Sequence, residues 1–162
     1  MSTADAVARE TAWLATIGDS LPALPASAGG PWQIIQAYQP RTPPANKTAI
    51  YVLRGRLLDV RASNQRIRPR YEIRLRLAWP VVVTGTSLLE TAQADMDAAV
   101  DLLVQRVRGP LGDKTHGGRF LSAGENPRLV TVQWDPPDLA MAAHKQLTAD
   151  MTYSIDDLEV ND

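Results

Sequence analysis

Residues 70–79 read RYEIRLRLAW, and this stretch constrains the fold more than any other part of the chain. Apolar side chains recur there at every second position, and charged side chains fill most of the positions between them. Because successive side chains of a strand point to opposite faces of a sheet, the alternation predicts a half-buried strand with one apolar and one arginine-rich face. Pro80 follows, so the strand is expected to end or to lie at an edge there.

Another strand is predicted just before it, over Ala49 to Arg61, with turn-forming side chains at 62–65. Residues 49–83 therefore read as a long antiparallel hairpin whose outer half is rich in arginine. Gly55 interrupts the alternation of the first strand, which predicts a bulge or kink. Three more strands are expected, over residues 32–38, 129–134 and 147–155.

Two amphipathic helices complete the pattern. One is predicted over Thr3 to Ile17, with an apolar side made of Val7, Trp13, Leu14 and Ile17. The other is predicted from an N-cap at Ser87 to Arg108, where Gly109 and Pro110 stop it. The order of helix, strands, helix and strands predicts an α+β fold, in which both helices pack on a largely antiparallel sheet.

A single domain over residues 1–162 is expected, because 162 residues with 44% hydrophobic content suit one globular unit. Within it, residues 20–45 form a proline-rich connection and residues 156–162 an acidic end. The chain has no cysteine, which excludes disulfides and thiolate metal sites. It has no apolar run of about 18 residues, so no membrane span is expected. The N-terminus lacks the pattern of a signal peptide.

Short motifs touch on enzyme chemistry without completing it. Residues 109–115 (GPLGDKT) lack the glycine that a phosphate loop needs before Lys114, and they follow a helix. His116 and His144 have no second ligand at metal spacing, and both are predicted to be exposed loop histidines. The acids near the C-terminus read as a solvated tail, because no glycine-turned calcium loop surrounds them. We therefore expect no enzyme activity, no cofactor and no metal.

Charge is divided unevenly along the chain although the net charge is only −1. Eight arginines crowd residues 54–76, whereas acids dominate after Asp135. Three roles stay open for the arginines: a solvated face, a protein interface or a nucleic-acid contact. A nucleic-acid module would need interleaved aromatic residues, and Tyr71 is the one aromatic there. The candidate interface residues are Arg54, Arg56, Arg68, Arg70, Arg74, Arg76, Phe120, Leu121, Asp150, Asp156 and Asp157.

The whole order of elements resembles the tail terminator proteins of long-tailed bacteriophages. The matching features are the N-terminal helix, the proline-rich crossing, the hairpin ending in YEIRLRLAWPV, the helix ETAQADMDAAVDLLVQRVRG, a glycine-rich loop, the strand VTVQW, and LTADMTYSID before an acidic end. They span nearly the full chain, and none of them is a signature motif. The resemblance is one of element order and style of sequence.

This resemblance implies a small α+β protein that assembles as a ring, commonly of six copies, on the end of the tail tube. Such a ring stops tube polymerisation and provides the surface that joins the head. Its partners would be further copies, the tail tube protein and a head-completion protein, with DNA passing through without sequence-specific contacts. The protein would reside in the virion neck after assembly in the bacterial cytoplasm. The alternatives are another neck connector or a nucleic-acid-binding module that uses residues 54–76.

Two expectations concern how copies would meet. A closed ring needs one surface of a subunit to contact a different surface of the next. The arginine face of the hairpin and the acidic stretch 150–162 are predicted to form that contact. The glycine-rich loop 112–124 is predicted to be mobile until a neighbour orders it, with Phe120 and Leu121 as idle apolar surface.

Overall fold

The computed structural model describes residues 2–17, 22–61, 66–81, 86–108, 115–116, 119–120, 130–137, 146–156 and 159–160, without the side chains of 59–61, 66–68, 86–88 and 159–160. The first helix, α1 (Thr3–Ala15), is capped by Ser2, whose hydroxyl accepts a hydrogen bond from the Asp5 amide at 3.1 Å. The Asp5 carboxylate in return accepts from the Ser2 amide at 3.0 Å and from the Ser2 hydroxyl at 2.8 Å, and these two bonds lower the pKa of Asp5. The helix was expected to reach Ile17, but it ends at Ala15 and Ile17 is 59% exposed.

The strands form one mixed sheet. In the described residues they are β1 (Ile34–Ala37), β2 (Ala49–Arg61), β3 (Arg66–Pro80), β4 (Thr131–Trp134), β5 (Gln146–Asp156) and β6 (Glu159–Val160). Their order is β1-β2-β3-β5-β4, and β6 pairs with the outer part of β3. Strand β1 runs parallel to β2, while the other pairings are antiparallel. The α+β class is confirmed, and the sheet is mostly antiparallel with one parallel edge.

Strand β2 is irregular where the sequence predicted it. The register between β2 and β3 shifts between Arg54 and Leu57, so Gly55 lies in a bulge. A Cβ at Gly55 would lie 2.7 Å from Oε1 of Glu72, so the Glu72 side chain would have to move to admit it. The bulge separates an inner part of the hairpin, which carries core residues, from an outer part with exposed side chains.

The second helix, α2 (Thr86–Arg108), contributes to the main core together with α1 and one face of the sheet. Leu103 is fully buried, as the spacing of apolar residues in this helix predicts. Ser87, the predicted N-cap, lies within the helix, which begins at Thr86. Burial of this apolar cluster is worth about 25 cal/mol per Å² removed from water.

The proline-rich connection is anchored to this core by Trp32, which is fully buried. The amide of Trp32 donates to the carbonyl of Leu24 at 3.0 Å, and its carbonyl accepts from Ala26 at 2.8 Å. A short 3-10 helix (Ala26–Ala28) fills the turn between them, closed by Gly29 in the left-handed region. The connection is therefore a folded loop with its own backbone hydrogen bonds.

Candidate functional site

The arginine-rich face of β3 lies against acidic residues of the same chain. Antiparallel pairing of β3 with β5 places Arg70 opposite Asp156 and Arg76 opposite Asp150. The Arg70 Nε lies 2.8 Å from Asp156 Oδ1, and the Arg74 Nη2 lies 3.0 Å from Asp150 Oδ2. Directly opposed and diagonal side chains on one face of a sheet are close enough to pair. We call this row of ion pairs the charged ladder.

One more acid extends the charged ladder toward β4. Nη1 of Arg76 lies 3.0 Å from Asp135 Oδ2 and 3.2 Å from Asp150 Oδ2. The hydrogen bond with Asp156 raises the pKa of Arg70, and the bond with Asp150 raises the pKa of Arg74. Arginines 70, 74 and 76 are thus each held by a carboxylate of their own chain.

These pairs bear on the predicted ring contact, which stays a prediction. It required the arginines and the acids at Asp150 and Asp156 to form two separate surfaces, but they occupy adjacent strands on one face. Of the other interface candidates, Leu121 and Asp157 and the side chain of Arg68 lie outside the described residues. Asp156, which was expected to belong to a solvated acidic tail, is instead fully buried.

The hairpin continues past the bulge as what we call the hairpin arm, made of residues 56–61 and 66–71, in which Tyr71 still packs in the core. Leu57 and Leu58 follow the bulge, and each is 54% exposed. Leu57 lies opposite Tyr71 and Leu58 opposite Arg70, so the two leucines are on opposite faces of the arm. Arg56 begins the arm with an 88% exposed side chain, 3.9 Å from Glu72. The arm therefore presents apolar and basic groups to its surroundings.

A cleft lies at the other end of the sheet, between α2 and the ends of β4 and β5. It has a volume of about 310 Å³, and we call it the Trp134 cleft. Its apolar wall includes Trp134, which is 48% exposed, together with Met96 and Leu147. Asp97 of α2 also lines it and is exposed. Trp134 belongs to β4, an edge strand of the sheet.

A buried polar cluster lies on the helix side of the sheet, and sequence reasoning missed it. Nδ1 of His116 lies 2.9 Å from Glu10 Oε2, and the Tyr153 hydroxyl donates to Glu10 Oε1 at 2.6 Å. His116 Nε2 lies 2.7 Å from the carbonyl of Val107, so that nitrogen carries a proton. The prediction that His116 is exposed was wrong, because Glu10 and His116 are both fully buried.

Aromatic rings and a buried arginine enclose this cluster. His116 stacks on Trp13 with ring centroids 5.2 Å apart, and Phe120 is buried beside it. Phe120 is therefore not idle surface, although most of loop 112–124 lies outside the described residues. The guanidinium of Arg106 lies 4.7 Å from the centre of the Trp13 ring.

Arg106 binds the C-terminal end of α1. It donates to the carbonyls of Trp13 at 3.0 Å and Pro22 at 2.9 Å, and to that of Thr16. A cation is favourable there because the last carbonyls of a helix lack partners and carry partial negative charge. Burial, with a smaller effect of nearby Arg119, lowers the pKa of Arg106.

Glutamate, histidine and tyrosine are also the side chains of acid–base catalysis, so their access to substrate decides what they do. General acid–base groups must reach a reacting proton within hydrogen-bond distance. Glu10 and His116 have no exposed surface, and Tyr153 is 5% exposed. Each polar end contacts another buried group, so this cluster braces α1, β5 and the segment around His116.

These features define an α+β protein with exposed apolar surfaces at two ends of one sheet. No family model matches the chain, and no curated protein sequence matches it significantly. Among the described residues, no group of three or more acids and histidines is arranged to hold a metal ion. Within that same part of the chain, no helix has both the length and the apolar character to cross a membrane.

Proposed function

We propose that this protein is a structural ring subunit, a tail terminator of a long-tailed bacteriophage. In this proposal it caps the tail tube, stops tube polymerisation and offers the surface that joins the head. The resemblance in element order supports it, and the observation that carries it is the hairpin arm. Leu57 and Leu58 are each 54% exposed on this arm, so it presents apolar groups that contact with another copy would bury.

The proposed assembly is a homo-oligomeric ring, with six copies as the working number. In each subunit of this ring, both helices pack on one face of the sheet, and the arginine-rich hairpin projects from that body. The ring meets the tail tube protein on one side and a head-completion protein on the other, within the virion neck. DNA passes through it without sequence-specific contacts, and no catalysis or cofactor is involved.

The charged ladder bears on the nucleic-acid alternative. A protein that binds phosphates must offer cations that are free to release counterions. Arg70, Arg74 and Arg76 already contact carboxylates, so phosphate would have to displace those partners. This observation favours assembly over nucleic-acid binding by the hairpin.

The test is tail tube assembly in the presence of the purified protein. Tube protein of a long-tailed phage is polymerised alone and with the chain, and tube lengths are measured by negative-stain electron microscopy. We expect tubes of unlimited length alone, and shorter tubes with a ring at one end when the protein is present. Sedimentation should give a mass that is a multiple of 17.7 kDa.

Other outcomes separate the alternatives. A ring that binds no tube end but binds isolated heads would indicate a head-completion or other neck connector. Retention of DNA at moderate salt without any change in tube length would indicate a nucleic-acid-binding module. Either result would contradict the proposed terminator function.

A further inference from the structure

We infer that the hairpin arm of one copy docks in the Trp134 cleft of the next copy. The inference rests on the proposed function only in assuming that copies of the chain assemble. It is an alternative to the predicted contact between arginines and acids, because several of those groups already pair within one chain. It also gives a partner to an exposed leucine of the arm and to exposed Trp134.

The two surfaces cannot meet within one chain. Leu57 is opposite Tyr71, which is opposite Ile155 near the end of β5, whereas Trp134 is opposite Ala149 near its start. The separation of Ile155 from Ala149 along an antiparallel strand is about 20 Å, at about 3.4 Å per residue. Docking between copies is therefore head-to-tail, which is the geometry that closes a ring or extends a filament.

Charge favours the same pairing. Arg54 and Arg56 are exposed at the base of the arm. The exposed surface of α2 beside the cleft is acidic, with Glu90, Asp95, Asp97 and Asp101 and no basic residue from Thr86 to Gln105. Arm against cleft therefore brings opposite charges together, whereas arm against arm or cleft against cleft brings like charges together.

The size of the cleft suits side chains rather than a whole folded element. Its volume of about 310 Å³ is at the low end of the range of about 300–1,000 Å³ for ligand clefts. One leucine side chain of the arm against Met96, Leu147 and Trp134 would exclude water from its apolar wall. Such a small buried anchor surrounded by charges is the usual anatomy of an interface.

The chain offers a direct test because it contains no cysteine, so each introduced thiol is unique. Leu58→Cys in the arm and Pro136→Cys at the cleft are made as separate variants, mixed in equal amounts and treated with a short bismaleimide linker. We expect covalent dimers in the mixture and few in either variant alone. The variant that carries both cysteines should give a series of covalently linked products on a denaturing gel. The largest product should contain as many copies as the ring.

In a matched control, the second thiol is placed at an exposed position of α1. Ala12→Cys mixed with Leu58→Cys should give at least about tenfold less dimer than the pair with Pro136→Cys. Equal linking in the control, linking within single variants, or a protein that sediments as a monomer at all concentrations would overturn the inference. If linked copies form while the lengths of tail tubes are unchanged, the proposed contact is right and the terminator function is wrong. If tubes are capped but no linked copies form, the terminator function is right and the proposed contact is wrong.

A charge reversal provides a second readout. Arg56→Glu should weaken association by up to about fivefold, because exposed ion pairs contribute little. Leu57→Asp should weaken it by about tenfold or more, since it places a charge in the apolar contact. Asp97→Arg combined with Arg56→Glu should recover the loss from Arg56→Glu, as measured by sedimentation. No recovery, or an unaltered Leu57→Asp protein, would show that the arm docks elsewhere or not at all.

Discussion

The two faces of the sheet hold charge in different ways. On one face, the arginines of the charged ladder and Asp150 remain partly in water, and the Arg74 side chain is 47% exposed, although Asp156 is buried. On the other face, Glu10, His116 and Arg106 are fully buried, with every contact made to protein. An ion pair in water has solvent to replace a lost partner, whereas a buried group has none. The buried charged groups should therefore contribute more to the free energy of folding than the ion pairs of the charged ladder do.

The largest loss of stability is expected from a change at Glu10. Glu10→Ala removes the acceptor of the Tyr153 hydroxyl and the partner of His116 Nδ1, which leaves two buried groups unsatisfied. We expect it to lower the free energy of unfolding by about 3–5 kcal/mol. Urea denaturation followed by circular dichroism would measure the change.

Glu10→Gln is the matched control. Its amide oxygen accepts from Tyr153, and its amide nitrogen donates to Nδ1 of neutral His116, whose Nε2 proton still binds Val107. It should therefore cost much less than the alanine. Equal losses in the two variants would mean that the volume of this side chain matters and its hydrogen bonds do not.

A smaller effect, with a dependence on pH, is expected at Tyr153. Tyr153→Phe removes a hydrogen bond to a charged group and should cost about 1.5–3 kcal/mol near neutral pH. Burial, and then the charge of Glu10, raises the pKa of Tyr153 well above the usual value of 10.0. Because the folded state keeps this proton longer than the unfolded state, the associated stability is complete below pH 10 and is lost as pH rises beyond it.

The measurement compares wild type and Tyr153→Phe in denaturant at pH 9 and pH 11. Wild type should lose more stability between these values than the variant does. The raised pKa of Tyr51, which is caused by burial, is present in both proteins and cancels in the comparison. An identical loss in both would show that Tyr153 ionises in the folded state as it does in water.

The smallest effect is expected in the charged ladder. Asp150→Asn removes the carboxylate shared by Arg74 and Arg76, but water reaches these side chains. We expect a change of about 0–1 kcal/mol that shrinks further in high salt. A double-mutant cycle with Arg74→Ala would isolate the pair. A coupling as large as the loss at Glu10 would remove the distinction between the two faces.

Local patterns predicted β2, β3, β5 and the bulge at Gly55, because alternation and turn residues are read over a few positions. They did not predict that β3 and β5 are neighbours, since strand pairing depends on contacts across the whole chain. The charged ladder follows from that pairing alone: Arg70 and Asp156 are 86 positions apart. Strand β1 was predicted within residues 32–38, but its parallel pairing with β2 was not, for the same reason.

A local signal for the buried polar cluster did exist. Glu10 lies three residues after Val7 and four before Leu14, within the apolar side of α1. Arg106 likewise lies between Leu103 and Val107 in the apolar face of α2. A charged residue in such a position indicates a buried partner, because an unpaired charge is too costly to bury. Its identity, a histidine 106 positions from Glu10, could not be read from spacing.

The contacts of Arg106 also set an order of events during synthesis. Its carbonyl partners at Trp13, Thr16 and Pro22 precede it by 93, 90 and 84 positions. At about 5–20 residues per second, a ribosome needs roughly 4–19 s to make that intervening chain. Until then the end of α1 is bound only by water, and a helix this short is marginal by itself. The N-terminal helix is therefore expected to become permanent only after α2 has left the ribosome.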